Sequence, residues 1–158
     1  MKAKFIAAFM DCAERFAQLS TATRAKVGAI IVKNNRIISI GYNGMPSGWS
    51  NECEDLELPD WAKSVGDIAP DDRDTYLRYK TKPEVLHAET NAIAKMARSS
   101  ESCDGAALFC THLPCMDCAK LIYQSGITEV YYKVEYHASK GTGKDFLIRS
   151  GIKLAKIQ

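Results

Sequence analysis

The chain has 158 residues, enough for one domain that buries roughly 68–70% of its unfolded surface. Its 46% hydrophobic and 25% charged residues are ordinary for a globular protein, and a net charge of +2 is too mild to mark a nucleic-acid binder. The apolar start is broken by Lys2, Lys4, Asp11, Glu14 and Arg15, so neither an export signal nor a membrane span is expected, and six cysteines then point to a reducing, cytoplasmic setting.

Phe5, Ile6, Phe9, Ala13, Phe16 and Ala17 recur at helical spacing and predict an amphipathic helix over residues 3–19. Val27 to Val32 is β-rich, Lys33-Asn34-Asn35 is a turn, and Arg36 to Ile40 is β-rich again, so an antiparallel hairpin is expected. It ends in Gly41-Tyr42-Asn43-Gly44, where the backbone can turn sharply. Residues 45–84 break the pattern with four prolines and no sustained period. From Asn51 to Thr75 this stretch sets Glu52, Glu54, Asp55, Glu57, Asp60, Asp67, Asp71, Asp72 and Asp74 against only Lys63 and Arg73. Trp49, Leu56, Leu58, Trp61 and Tyr76 offer it something to pack with, so an ordered insertion with helix near 72–80 is expected.

Beyond the insertion the order is regular: helix 87–99, strand 106–111, helix 115–125, strand 128–135, helix 142–150, strand 152–157. Alternating strands and helices imply a sheet covered on its faces. The expectation is an α/β fold of three layers, α/β/α, with a five-stranded mixed sheet in a single domain over residues 1–158.

Three short pieces of this frame belong together: His87-Ala88-Glu89, Pro114-Cys115 and Cys118. His-x-Glu succeeded by Pro-Cys-x-x-Cys is the signature of zinc-dependent nucleobase deaminases. Cys115 and Cys118, at i and i+3, share one helix face, and Pro114 suits that helix's entry. His87 opens the preceding helix, so two helix N-termini, favourable for thiolates, converge on the metal. Two thiolates cancel Zn²⁺ and the imidazole is neutral, which would leave a water in the fourth position on an approximately neutral centre. Glu89 lies close enough to reach that water but does not share the histidine's direction, so it reads as a proton carrier. A fourth protein ligand would make the site structural; the candidates are Cys110, Cys103, Cys53 and His112. Cys12 and Cys103 read as free thiols. His112 and His137 fall in loops, where contact with substrate competes with a merely structural place.

Val27 to Val32, Gly41-Tyr42-Asn43-Gly44-Met45-Pro46-Ser47-Gly48, His87-Ala88-Glu89-Thr90-Asn91-Ala92-Ile93 and Pro114 to Ile122 together resemble the deoxycytidylate deaminases, as does the late Tyr136-His137 pair. The resemblance implies a cytidine-deaminase-like fold and hydrolysis of dCMP to dUMP and ammonia, with Glu89 moving protons between water, the ring N3 and the leaving amine. It also implies Asn43 on the deoxyribose 3′-hydroxyl, the Ala88 N–H on the pyrimidine O2, and Tyr136 against base or sugar. Arg24 and Lys26, just before the first strand, are candidates for phosphate contacts, with a solvated junction as the alternative. The family further implies a homohexamer activated by dCTP with Mg²⁺ and inhibited by dTTP, with Tyr42 and Gly44 at the regulatory site. Some phage relatives hold an extra histidine-bearing zinc site in the insertion. Residues 45–84 here have no histidine, so one zinc per chain is expected.

Two other functions share the zinc core. A polynucleotide deaminase would need a basic, aromatic-bearing groove, which the acidic insertion opposes. Lys133, Lys140, Lys144, Arg149, Lys153 and Lys156 keep that option open, together with deamination of dCTP. A non-catalytic zinc module would have no use for Glu89.

Overall fold

The β-rich run after the first helix is apolar at nearly every position because it is buried on both faces. In this computed structural model, which describes residues 1–136 and 141–158, that run is β1 (Gly28–Lys33), the second strand of a five-stranded sheet. Its companions are β2 (Arg36–Tyr42), β5 (Ala107–His112), β6 (Glu129–Val134) and β7 (Lys153–Lys156), in the order β2-β1-β5-β6-β7. β1 is antiparallel to both β2 and β5, whereas β5, β6 and β7 run parallel, so the sheet is mixed. Asn34 and Asn35 take φ of 53° and 58°, the left-handed pair that a tight two-residue hairpin requires and that asparagine tolerates.

Alternate residues of β1 feed two cores. Ile30 and Val32 join Phe109 and Tyr131 under α1 (Ala3–Ala17), which contributes Met10 and Ala13. Phe109 stacks on Tyr131 with ring centres 4.7 Å apart, an aromatic pair that adds to area burial. Ala29 and Ile31 face the other way, with Leu108, Cys110 and Val130, beneath α3 (Ala88–Met96), α4 (Met116–Gln124) and α5 (Lys144–Arg149). Three layers result. None of the described helices is long and apolar enough to cross a membrane.

The insertion departs from expectation. Its helix α2 is a single turn, Arg73–Tyr76, and it leads into a strand, β4 (Arg78–Thr81), antiparallel to β3 (Glu54–Glu57) in a separate two-stranded ribbon. Arg-Tyr-Lys-Thr has no helical period, and cross-strand pairing wins over a short isolated helix. Trp49 and Trp61 are each 58% exposed, although Trp61 meets Tyr76 edge-on with ring centres 5.5 Å apart; the buried anchor is Cys53, at 1%, among Ala22 and Val85. His137 and Lys140 lie outside the described residues.

Candidate functional site: a metal-binding cleft at two helix starts

The first helix of the site is held against the sheet by its neighbour's lack of a side chain. A Cβ on Gly41 of β2 would stand 2.1 Å from the Ala88 carbonyl oxygen and 2.7 Å from the Ala92 nitrogen, so only glycine lets α3 lie this close. Side chains then stitch the two elements. Ser39 Oγ donates to the Ala92 carbonyl at 2.7 Å, Asn91 Nδ2 to the Tyr42 carbonyl at 2.9 Å, and Lys95 Nζ to the Ile40 carbonyl at 2.8 Å. Gly44 and Leu86 exchange two backbone hydrogen bonds, which delivers the chain to His87 at the N-cap of α3.

The second helix is seated in the same way. Cys115 is the N-cap of α4 and bridges to Thr142, and the Gly143 N–H donates to the Pro114 carbonyl at 2.9 Å. A Cβ on Gly143 would meet the Ala119 Cβ at 2.4 Å and the Cys115 carbonyl at 2.9 Å. The loop before α5 thus packs directly on the first turn of α4.

Together these contacts bring His87, Cys115 and Cys118 within 4.8 Å of one another, ligand atom to ligand atom. His87 Nδ1 is 3.6 Å from Cys115 Sγ and 3.3 Å from Cys118 Sγ. Tetrahedral zinc with bonds of about 2.0–2.3 Å separates its ligand atoms by about 3.6 Å, so the donor set fits the ion in both distance and type. The thiols are already polarised. A hydrogen bond from Cys118, then one from His87, pulls Cys115 down to about 4, against its burial. That same bond to Cys115, burial and the Glu89 charge push Cys118 up. A divalent cation among the three atoms would replace those protons.

Glu89 is 4% exposed in the first turn of α3, and burial pushes its carboxyl above the ordinary range against its own backbone N–H and His87. A buried carboxylic acid beside a metal donor set is equipped to hold and transfer a proton. Of the other candidate ligands, Cys110 is a fully buried strand thiol packed towards Glu89, which helps to raise it. Cys103 lies in the core under α3, Cys53 anchors the insertion against Ala22 and Val85, and His112 ends β5. Among the described residues, His87, Cys115 and Cys118 form the one group of three metal-ligating side chains.

His87 and Cys115 line a cleft of about 160 Å³ whose walls include Arg24, Asn43, Ala88, Glu89, His112 and Tyr136. Asn43 is locked in place: its Oδ1 accepts the Val27 N–H at 2.8 Å and its Nδ2 donates to the Ala25 carbonyl at 2.8 Å. His112 meets Tyr136 edge-on, ring centres 6.2 Å apart, and burial holds its imidazole below the usual range, hence neutral. Lys26 is not among the walls of this cleft; it lines a depression with Glu14, Gln18 and Val134 that adjoins the cleft at His112. In a regular strand two residues this far apart would share a face, but the chain bends at Thr23-Arg24 and becomes a strand only at Gly28. Tyr42 and Gly44 flank Asn43 in the chain but are not among the walls of the cleft; the Lys95 ammonium lies 6.0 Å from the Tyr42 ring centre. Glu54 and Thr81 of the β3–β4 ribbon also line the cleft, although nothing in the acidic run distinguished Glu54 from its neighbours.

A three-layer α/β/α fold with His and two Cys at two converging helix starts, beside a buried glutamate, defines a zinc-dependent hydrolytic deaminase. The family model described as "Cytidine and deoxycytidylate deaminase zinc-binding region" matches residues 3–134. The chain belongs to this cytidine and deoxycytidylate deaminase family. It is 37% identical over 153 residues to the deoxycytidylate deaminase of Enterobacteria phage T4, covering 84% of this chain and 79% of that one. It is 42% identical over 133 residues to the deoxycytidylate deaminase of Homo sapiens, covering 83% and 66%. The crystal structure of dCMP deaminase from the cyanophage S-TIM5 in complex with dCMP and dUMP aligns over 99% of each chain, with TM-score 0.80 and 45% identity. A tRNA:A34 deaminase aligns over 96% of this chain with TM-score 0.57 at 20% identity, and so shares the fold.

Proposed function

We propose that this chain hydrolyses dCMP to dUMP and ammonia. The observation that carries the reading is the buried Glu89 beside the His87–Cys115–Cys118 donor set, on the floor of a cleft with a single arginine among its described wall residues. The homology to deoxycytidylate deaminases, and to one captured with dCMP and dUMP, supports the substrate.

Zinc held by His87, Cys115 and Cys118 would lower the pKa of water and so supply a nucleophile at neutral pH. Glu89 takes one proton of the water to the ring N3 and then the other to the departing amine; burial, which raises its pKa, favours the proton-bearing form that these transfers need. Ala88 is the first helical residue of α3, so its N–H has no partner inside the helix and suits the pyrimidine O2. Asn43 has one amide hydrogen beyond the one given to Ala25, for the 3′-hydroxyl. Tyr136, braced by His112, walls the base and sugar. Arg24 contacts the phosphate, for which its forked donors suit a dianion. Lys26 is not among the wall residues of the cleft, so Arg24 is the phosphate candidate.

Against a polynucleotide substrate, the basic C-terminal third is largely paired with acids: Lys133 with Glu14, Lys153 with Glu129, and Lys144 and Lys156 with Glu135. One zinc per chain rests on the absence of histidine from residues 45–84; a homohexamer, and regulation by dCTP–Mg²⁺ and dTTP at Tyr42 and Gly44, rest on the family resemblance. All six cysteines are unpaired, which suits the cytoplasm.

The test is ammonia release from dCMP, deoxycytidine, dCTP and a cytosine-bearing oligonucleotide, with and without dCTP–Mg²⁺ or dTTP. dCMP is expected to be turned over best, and Arg24→Ala to raise its KM about tenfold or more while deoxycytidine is unaffected. Turnover of the oligonucleotide alone would overturn the mononucleotide reading, and rates indifferent to both triphosphates would remove the regulatory part.

A further inference from the structure

The β3–β4 ribbon belongs to the insertion, yet its first paired residues reach the wall of the cleft. Glu54 and Thr81 stand directly opposite each other in that ribbon. Glu54 Oε1 accepts the backbone N–H of Thr23 at 3.0 Å and of Arg24 at 3.2 Å, while Oε2 lies 3.1 Å from the Thr23 nitrogen. At the far end of the same arginine, Nη1 donates to Thr81 Oγ1 at 3.3 Å. One cross-strand pair therefore grips Arg24 at its backbone and at its guanidinium.

The ribbon is itself fixed at this end. The Thr21 hydroxyl donates to the Asn51 carbonyl at 2.9 Å, and the Lys82 N–H donates to the Cys53 carbonyl at 2.9 Å. Cys53 is buried against Ala22 and Val85. Residues 20–27 form neither helix nor strand, so their N–H groups need partners from elsewhere, and a carboxylate is a stronger acceptor than any neutral group. Glu54 directs its oxygens to backbone N–H groups, so the fork of Arg24 is held in the cleft rather than turned back on the carboxylate.

We infer that the opposed pair Glu54 and Thr81 is a positioning element that presents Arg24 to the phosphate of the nucleotide, which makes the ribbon insertion part of substrate recognition. This rests on the reading of Arg24 as the phosphate contact. An arginine arranged before binding loses less side-chain freedom when the phosphate arrives, so the pair acts on affinity rather than on the chemical step.

The experiment is steady-state kinetics with dCMP on the zinc-loaded full chain, comparing Glu54→Ala, Glu54→Gln, Thr81→Val, Arg24→Ala and the double variant E54A/R24A. Glu54→Ala should raise KM about tenfold with kcat within about twofold, and Thr81→Val should raise KM about threefold. Glu54→Gln keeps one acceptor oxygen and should recover part of the lost affinity. In the Arg24→Ala background, Glu54→Ala should change KM by less than about twofold, because both act through one contact. If Glu54→Ala does not fold, Glu54→Gln and Thr81→Val carry the same comparison. If Arg24→Ala raises KM while the ribbon variants leave it alone or lower kcat instead, the positioning role is overturned and the phosphate reading stands. If Arg24→Ala itself leaves KM unchanged, the phosphate reading fails and this inference with it.

Discussion

Glu89 shows most directly how one residue's place determines its chemistry. On an exposed helix its carboxyl would be an ordinary surface acid; at 4% exposure burial pushes it towards the protonated form, against the pull of its own backbone N–H and of His87. Glu89→Gln keeps shape and burial but cannot carry a proton. Its turnover of dCMP is expected to fall by about 10²–10⁴-fold with zinc content unchanged, measured by metal analysis beside ammonia release. Loss of zinc in that variant would mean that the side chain serves the metal and not the reaction. His87, Glu89, Cys115 and Cys118 were legible from spacing alone, because metal chemistry demands particular side chains at short, repeated intervals. Glu54 was not: it is one acid in an acidic run, and only the fold brings it to the backbone of Thr23 and Arg24.

At the scale of elements, the site depends on two helices lying very close to their neighbours. Gly41→Ala would place a methyl group 2.1 Å from the Ala88 carbonyl and force α3 away from β2. The expected loss is about 2–3 kcal/mol of stability, read by denaturant unfolding, together with weakened zinc binding, since His87 and Glu89 move with the helix. Retention of both would show that α3 can shift without disturbing the site. The sequence marked Gly41 as a place to turn, whereas β2 runs straight through it to Tyr42, and its role is close approach. The helix expected near 72–80 is a single turn, Arg73–Tyr76, and stops short because local periodicity does not register distant partners. A four-residue turn and then a ribbon are stabilised there by pairing with β3, more than twenty positions away.

For the whole molecule, the zinc donors tie together separate parts of one core. His87 comes from the start of α3 and the cysteines from the start of α4, and the two helices pack over the same face of the sheet. A metal bound only by the folded state stabilises it by mass action, about 4 kcal/mol at a thousandfold excess over the dissociation constant. Dialysis against a zinc chelator is therefore expected to lower the melting temperature by about 8–16 °C, recovered on adding zinc, as monitored by circular dichroism. An unchanged melting temperature would show that the fold does not depend on the ion.

From the sequence alone came the order of helices and strands after residue 86, the hairpin at Asn34-Asn35, the metal donors and their proton carrier, and the family. Each rests on local spacing, which the chain carries before it folds. Tertiary structure decided the rest. It placed Arg24 in the wall of the cleft and Lys26, two residues on, in a depression that adjoins it at His112. It also turned the acidic insertion into a ribbon whose first pair grips that arginine. Which residues meet across a sheet depends on register and on how closely helices can approach, and those are properties of the packed molecule that no short stretch of sequence contains.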